Sequence, residues 1–367
     1  MFLQELKLFN FKNYPEAILR FENPVNCFLG RNGSGKTNLL DAMHYLSFTK
    51  SAINPSDSQN VRLGESQFII KGAFKVQEKL KEVVCSYQQG QKKMVREDGQ
   101  DYLKFSDHVG KYPLVLIAPQ DIELIWDGSE VRRKFFDSLL SQIDHGYLED
   151  LIIYATYLKQ RNSALKLFAE RGAIDYDLLA GYHQKIIPAA KRIFSKRSEF
   201  LSEFLPVFQQ HYKNLADSKD EVMSIQYRSD LENNEFEELL QKNLNRDVLL
   251  QRTTAGIHRD DFLFLLNNNE VKRYGSQGQQ KSFLIGLKLA EFQCIAEKKK
   301  FKPLLLLDDI FDKLDDNRIR KIMKSVEDGT FGQLFITDAR PSRCRELLKE
   351  ANLKAGLIYI ENGTFVK

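Results

Sequence analysis

Eight consecutive residues, Gly30-Arg31-Asn32-Gly33-Ser34-Gly35-Lys36-Thr37, constrain this chain more than any other stretch. They fit the pattern G-x-x-x-x-G-K-[ST]. A short apolar run, Val25–Leu29, precedes them, and a helical pattern at Leu39, Leu40, Met43 and Leu46 follows. Strand, glycine-rich turn and helix in that order form a phosphate cradle. The glycines let backbone N–H groups turn inward around phosphate oxygens, and the helix start adds its positive dipole end. Gly30 through Asn38 are therefore expected to hold the phosphates of ATP. Lys36 should reach the β- and γ-phosphates, and the Thr37 hydroxyl should ligate Mg²⁺.

The chain has 367 residues, enough for two or three domains. Its hydrophobic share of 43% and charged share of 28% are those of a globular protein. Disorder, collagen-like repeats and a disulfide mini-scaffold are excluded. No apolar run approaches the roughly 18–20 residues that a membrane span needs. The start, MFLQELKLFNFKNY, lacks the basic head and apolar core of a secretory signal. Cys27, Cys85, Cys294 and Cys344 show no metal or redox spacing and read as buried thiols in a reducing cytoplasm.

Short apolar runs at Val25–Leu29, Phe68–Phe74, Val83–Tyr87 and Leu114–Ala118 read as strands, with a hairpin turn at Asp98-Gly99. From Glu123 to Leu249 the pattern turns helical. Leu148, Leu151, Ile152, Ala155 and Leu158 share one predicted helix face, and Phe200, Leu201, Phe204, Leu205 and Phe208 share another. The polar stretch Asn214–Met223 reads as a loop or a connection between helices. Strands return at Phe262–Leu266, Leu304–Leu307, Leu334–Thr337 and Leu357–Ile360, with a turn at Asn362-Gly363. The predicted organisation is an outer α/β domain, 1–122 and 250–367, with a helical lobe, 123–249, inserted in it. Glu123–Leu249 holds 17 basic and 21 acidic residues, against 37 and 29 in the remainder. The net charge of +4 thus arises from a basic excess in the outer domain, where a phosphate-bearing partner would sit.

Leu304-Leu305-Leu306-Leu307-Asp308-Asp309 reads as a central parallel strand ending in two carboxylates. Asp308 is placed to hold Mg²⁺, and Asp309 is the candidate base that polarises the attacking water. Gly275-Ser276-Gln277-Gly278-Gln279-Gln280 precedes a helical pattern and resembles the L-S-G-G-Q signature of ABC-type ATPases. That resemblance implies a mixed-sheet, ABC-type P-loop ATPase head. It implies that Ser276, Gly278 and Gln279 meet the γ-phosphate held by a second protomer, so that ATP bridges a head-to-head homodimer. Asp315, in Asp312-Lys313-Leu314-Asp315, falls where such ATPases carry a loop that crosses the dimer interface, with a helix N-cap as the rival reading. Gln120 is placed to sense Mg²⁺ and water. Thr337 and Asp338 stand where transporters place a switch histidine.

Further segments are more specific. Leu6–Tyr14, Pro119-Gln120-Asp121 through Gly128, Arg132-Arg133-Lys134-Phe135-Phe136-Asp137, Leu158-Lys159-Gln160-Arg161-Asn162 and Thr254–Asp261 together resemble the RecF family of bacterial recombination-mediator ATPases. These are relatives of the SMC-type heads. Ile257 stands where the family has proline, and Ala52 and Ile53 where it often has a basic pair. The resemblance implies a cytoplasmic, nucleoid-associated protein and a slow, DNA-stimulated ATPase that dimerises on ATP. It implies binding to double-stranded DNA at gaps and single/double-strand junctions, and loading of RecA with RecO and RecR, with no membrane partner. The sequence holds no long heptad arms. The alternative function is an ATP-binding scaffold, or an ATPase subunit acting on a protein or membrane partner. Arg132, Arg133 and Lys134 are candidate DNA contacts, with a structural role as the rival. Lys298–Lys300 and Lys302 read more simply as cations at a helix C-terminus.

Overall fold

The computed structural model describes residues 1–216, 221–310, 316–361 and 363–366. It divides into two compact units, Met1–Asp121 with Leu284–Lys367, and Ile122–Phe283.

The first unit holds two six-stranded sheets. One is antiparallel and runs Tyr14–Arg20, Phe2–Phe11, Gln67–Val76, Lys79–Gln88, Met94–Glu97, Gln100–Asp101 in spatial order. Asp98 and Gly99 turn its last hairpin at φ 50° and 81°, the positive values that such a two-residue turn requires. The other sheet runs Thr364–Val366, Ala355–Glu361, Val25–Leu29, Leu334–Asp338, Leu304–Leu307, Leu114–Ile117. Its inner pairings are parallel, and Thr364–Val366 closes one edge antiparallel. All five residues of Val25–Leu29 and all four of Leu304–Leu307 are buried, as strands covered on both faces must be. The helix Lys36–Phe48 packs against strands of both sheets. Leu39, Leu40, Ala42, Met43, Tyr45 and Leu46 bury its whole circumference, which is why its apolar residues form no single stripe.

The second unit is built on the helices Ser129–Ile143, His145–Arg171 and Tyr176–Leu215. Asp144 caps the second through the Tyr147 N–H at 3.1 Å, and Asp175 caps the third through the Leu178 N–H at 2.9 Å. Phe200, Leu201, Phe204 and Phe208 line the buried face of the long third helix, as their spacing predicts. The face predicted for His145–Arg171 is different. Its buried residues are Tyr147, Tyr154, Arg161, Ala164, Leu165 and Phe168, while Ile152 is 46% exposed.

Two corrections concern the middle of the chain. The expected connection at Asn214–Met223 ends in a strand, Met223–Arg228, and its residues 217–220 lie outside the described ones. That strand pairs antiparallel with Asp261–Leu266, Phe262 lying opposite Tyr227. Residues 250–283 therefore group with the helical unit and not with the outer domain. The turn residue Asn362 lies outside the described residues; Gly363 sits at φ 75° between Ala355–Glu361 and Thr364–Val366. All four cysteines are free and buried. Among the described residues no helix is long and apolar enough to cross a membrane.

Candidate nucleotide site

The strand Val25–Leu29 delivers the glycine-rich loop at its carboxyl end, and the Gly30 N–H donates to the Asp338 carbonyl at 3.3 Å. A Cβ on Gly30 would lie 2.2 Å from the Ile360 carbonyl oxygen, so the chain passes there only as glycine. Gly33 and Gly35 adopt φ 80° and 113°. The Lys36 ammonium donates to the Gly30 and Arg31 carbonyls at 2.9 and 3.2 Å, so it lies over its own loop.

The neighbouring strands complete the cluster. The Thr37 hydroxyl lies 2.9 and 3.1 Å from the two carboxylate oxygens of Asp308. Thr337, fully buried on the adjacent strand, donates to Asp308 Oδ1 at 2.8 Å and accepts from the Asp309 N–H at 2.8 Å. Burial raises the Asp308 carboxyl above its ordinary value; the Thr337 and Thr37 hydroxyls oppose that rise, and the neighbouring Asp309 adds to it. Asp309 itself sits at φ 43°, uncommon for a non-glycine residue. Strand register puts Gln120 at the same end of this sheet, because Leu114–Ile117 pairs with Leu304–Leu307. Its side chain is exposed, and Asp121 anchors the segment by accepting the Ala118 N–H at 2.8 Å. A hydroxyl and a carboxylate converging at the foot of a phosphate loop are hard oxygen donors, the set that Mg²⁺ takes.

Ser276, Gly278 and Gln279 belong to the second unit. Ser276 and Gln279 form a reciprocal capping box. The Gln279 N–H donates to Ser276 Oγ at 3.2 Å, and the Ser276 N–H donates to Gln279 Oε1 at 2.7 Å. Ser276 is exposed and its hydroxyl acts there as an acceptor, which leaves its proton available. Asp315 and its neighbours Asp312–Leu314 lie outside the described residues.

The basic triplet has internal partners. Arg132 makes a two-pronged pair with Asp261 at 2.8 and 2.9 Å. Arg133 donates to Ser129 Oγ at 2.7 Å and to the Asp260 carbonyl. Lys134 is exposed and pairs with Glu130 one turn away. The geometry favours the structural role for the two arginines. Arg197, 2% exposed, is the centre of this region. It donates to Asp137, Asp260 and the Ile257 carbonyl at 2.9 Å each, and to Tyr147 at 3.0 Å. His258 joins a second network, between Tyr154 at 2.7 Å and the Thr253 carbonyl at 3.1 Å; burial pushes its pKa down to about 4, so it is neutral.

Asn13 and Tyr14 are the residues that motif reading does not assign to the site; they lie in Leu6–Tyr14, a segment that carries family likeness alone. Thr337, at the switch-histidine position, bonds to both Asp308 and Asp309.

The fold and this cluster define an ABC-type P-loop ATPase head. The family of RecF/RecN/SMC N-terminal domains matches residues 2–364. The DNA replication and repair protein RecF of Flavobacterium johnsoniae is 46% identical over 96% of this chain and 98% of its own length. The protein of that name from Cytophaga hutchinsonii is 44% identical over 94% and 90%. A solved structure of the recombination mediator RecF with ATP, of the RecFOR pathway, superposes at TM-score 0.90 with 30% identity, covering 100% of this chain and 97% of that one. An Smc head domain from Pyrococcus furiosus, 14% identical at TM-score 0.55, shares the fold. The chain belongs to the RecF family of DNA replication and repair proteins.

Proposed function

We propose that this chain is an ATP-switched DNA clamp of recombinational repair. The observation that supports it best is the closure of the Gly30–Thr37 loop onto Asp308 through the Thr37 hydroxyl, in a chain of the RecF family. Lys36 would exchange its loop carbonyls for β- and γ-phosphate oxygens. Thr37 and Asp308 would hold Mg²⁺, with Gln120 beside it; the bound ion supplies charge neutralisation at the phosphates. Asp309 would orient and deprotonate the attacking water. Ser276, Gly278 and Gln279 of one copy would engage the triphosphate of a second copy, and Asp315 would cross the same interface. The clamp would grip double-stranded DNA at gaps and junctions through charge and shape, act with RecO and RecR in loading RecA, and release on slow hydrolysis.

Two outcomes test this. Fluorescence anisotropy on a gapped duplex should show binding about tenfold or more tighter with ATP·Mg²⁺ than without it. That binding should also weaken steeply as salt rises. No binding in either state would remove the repair role. Ser276→Arg should leave a folded monomer, since Ser276 is exposed and its cap is worth about 1 kcal/mol. The variant should elute as a monomer with ATP under conditions that dimerise the parent chain. A variant that still dimerises would show that the signature surface lies elsewhere.

A further inference from the structure

We propose that Asn13, in the turn between the first two strands, and Tyr14, the first residue of the second, are positioning residues that aim two backbone N–H groups of the cradle at the phosphates. The inference rests on the reading of Gly30–Thr37 as an ATP cradle and adds a mechanism to it.

The argument starts from the peptide plane. In a trans peptide the C=O and the following N–H point to opposite sides. Fixing the carbonyl of one residue therefore fixes the direction of the next residue's N–H. The Ser34 carbonyl takes two donors from behind: Asn13 Nδ2 at 3.2 Å and the Gly363 N–H at 3.0 Å. These set the Gly35 N–H. The Gly35 carbonyl accepts the Asn38 and Leu39 N–H groups of the helix at 3.0 and 3.3 Å and takes the Tyr14 hydroxyl at 3.1 Å as a further donor; together these set the Lys36 N–H.

The two side chains are themselves held. Asn38 donates to Asn13 Oδ1 at 2.7 Å, which leaves the Asn13 amide NH₂ facing Ser34. Tyr14 is fully buried and stacks on Phe365 at 6.1 Å between ring centroids. Burial pushes its hydroxyl well above the ordinary tyrosine pKa, so it remains a donor throughout the neutral range. The turn is tied down from outside as well. The Lys12 N–H donates to the Asn60 carbonyl at 2.8 Å, and the buried Lys12 ammonium pairs with Asp41 at 2.6 Å.

Gly35 shows how closely this brace fits. A Cβ there would lie 2.4 Å from Asn13 Nδ2 and 2.9 Å from the Tyr14 hydroxyl. Gly33, by contrast, has nothing within 4 Å on that side. The second invariant position of the motif is thus glycine here for two reasons, its φ of 113° and the two side chains packed behind it. Asn38, adjacent to the motif, spends its side chain on the brace and not on the nucleotide.

Neither Asn13 nor Tyr14 touches a phosphate in this arrangement. Their loss should weaken every ligand that carries a β-phosphate, and ADP and ATP by the same factor. The chemical step in the bound complex should be untouched. Tyr14→Phe is isosteric and removes one donor; Asn13→Ala removes the other and the Asn38 link. Calorimetric titration of the full chain with ADP and with ATP·Mg²⁺ should show both dissociation constants raised about 3- to 10-fold in Tyr14→Phe. Asn13→Ala should raise both about 10-fold or more. Phosphate release at saturating ATP should stay within about twofold of the parent rate, and the nucleotide-free melting temperature of Tyr14→Phe should stay close to the parent value. Parent-like affinities in both variants, or a fall in the saturated rate with unchanged affinity, would overturn the proposal while leaving the cradle intact. If Asn13→Ala does not fold, Tyr14→Phe decides alone. A parent chain that binds neither nucleotide would overturn the cradle reading and this proposal with it.

Discussion

Replacing Arg197 by alanine is expected to cost about 3–5 kcal/mol of stability, the usual consequence of removing one partner of a buried ion pair. The guanidinium joins three helices and a loop, through Asp137, Tyr147, the Ile257 carbonyl and Asp260. Alanine leaves the Asp260 carboxylate buried without its directly bonded cation, with the Tyr227 and Ser229 hydroxyls as donors and Arg133 as the nearest remaining charge. In a unit of this size the melting temperature should fall by about 10 °C or more, readable by circular dichroism on the full chain. The deficit should also depend on pH. Burial already raises the Asp260 carboxyl above its ordinary value, and Arg197 opposes that rise. Without Arg197 it rises further. An acid whose folded-state pKa exceeds its unfolded value binds protons better when folded, so stability falls as pH climbs between the two values. The variant should therefore lose less at about pH 5 than at about pH 8. Equal deficits at both would show that Asp260 is not the uncompensated charge.

The second large effect is expected at Asp309. Asp309→Asn should lower the steady rate of phosphate release about 100-fold or more, the usual contribution of a general base. ATP affinity should change little. The local bonding carries the argument. Thr337 spends its proton on Asp308 and its lone pair on the Asp309 N–H, which fixes the Asp309 backbone. Among the described residues the Asp309 carboxylate has just a 3.4 Å approach to that hydroxyl, so it can accept from water. If the asparagine variant turns over at the parent rate, the base lies elsewhere. If the parent chain itself shows no turnover beyond one equivalent, it is a binding scaffold.

What could be read in the sequence follows from how local the determinants are. The cradle, its flanking strand and helix, and the strand ending in Asp308 each carry their signal within a dozen residues. The helix His145–Arg171 was also readable as a helix, but its buried face was not. Periodicity assigns apolar residues to the core, whereas this helix buries Tyr147, Tyr154 and Arg161. Arg161 donates to Asp247 at 2.8 Å and Thr253 at 2.6 Å, a partnership between residues 86 and 92 positions apart that no window contains. The strand Met223–Arg228 did carry a signal, with Met223 and Ile225 buried on alternate positions. It is short and lies within a helical stretch, so the longer pattern masked it. The domain boundary moved with it, because Phe262–Leu266 finds its partner there. The brace at Asn13 was invisible for the same reason as Arg161: Ser34 lies 21 residues away.

The pairing of Val25–Leu29 between Leu334–Asp338 and Ala355–Glu361 bears on how the protein is made. A ribosome adds about 5–20 residues per second, so that strand waits roughly 15–60 s for its neighbours to emerge. Meanwhile residues 122–283 leave the exit tunnel complete and can collapse as their own unit. Val25, Cys27, Phe28 and Leu29 lack their flanking strands for that interval, which makes this segment a natural client for a chaperone. A nascent chain therefore gains its helical unit well before it can hold a nucleotide, and translation that stops short of Leu334 yields a product unable to sequester one.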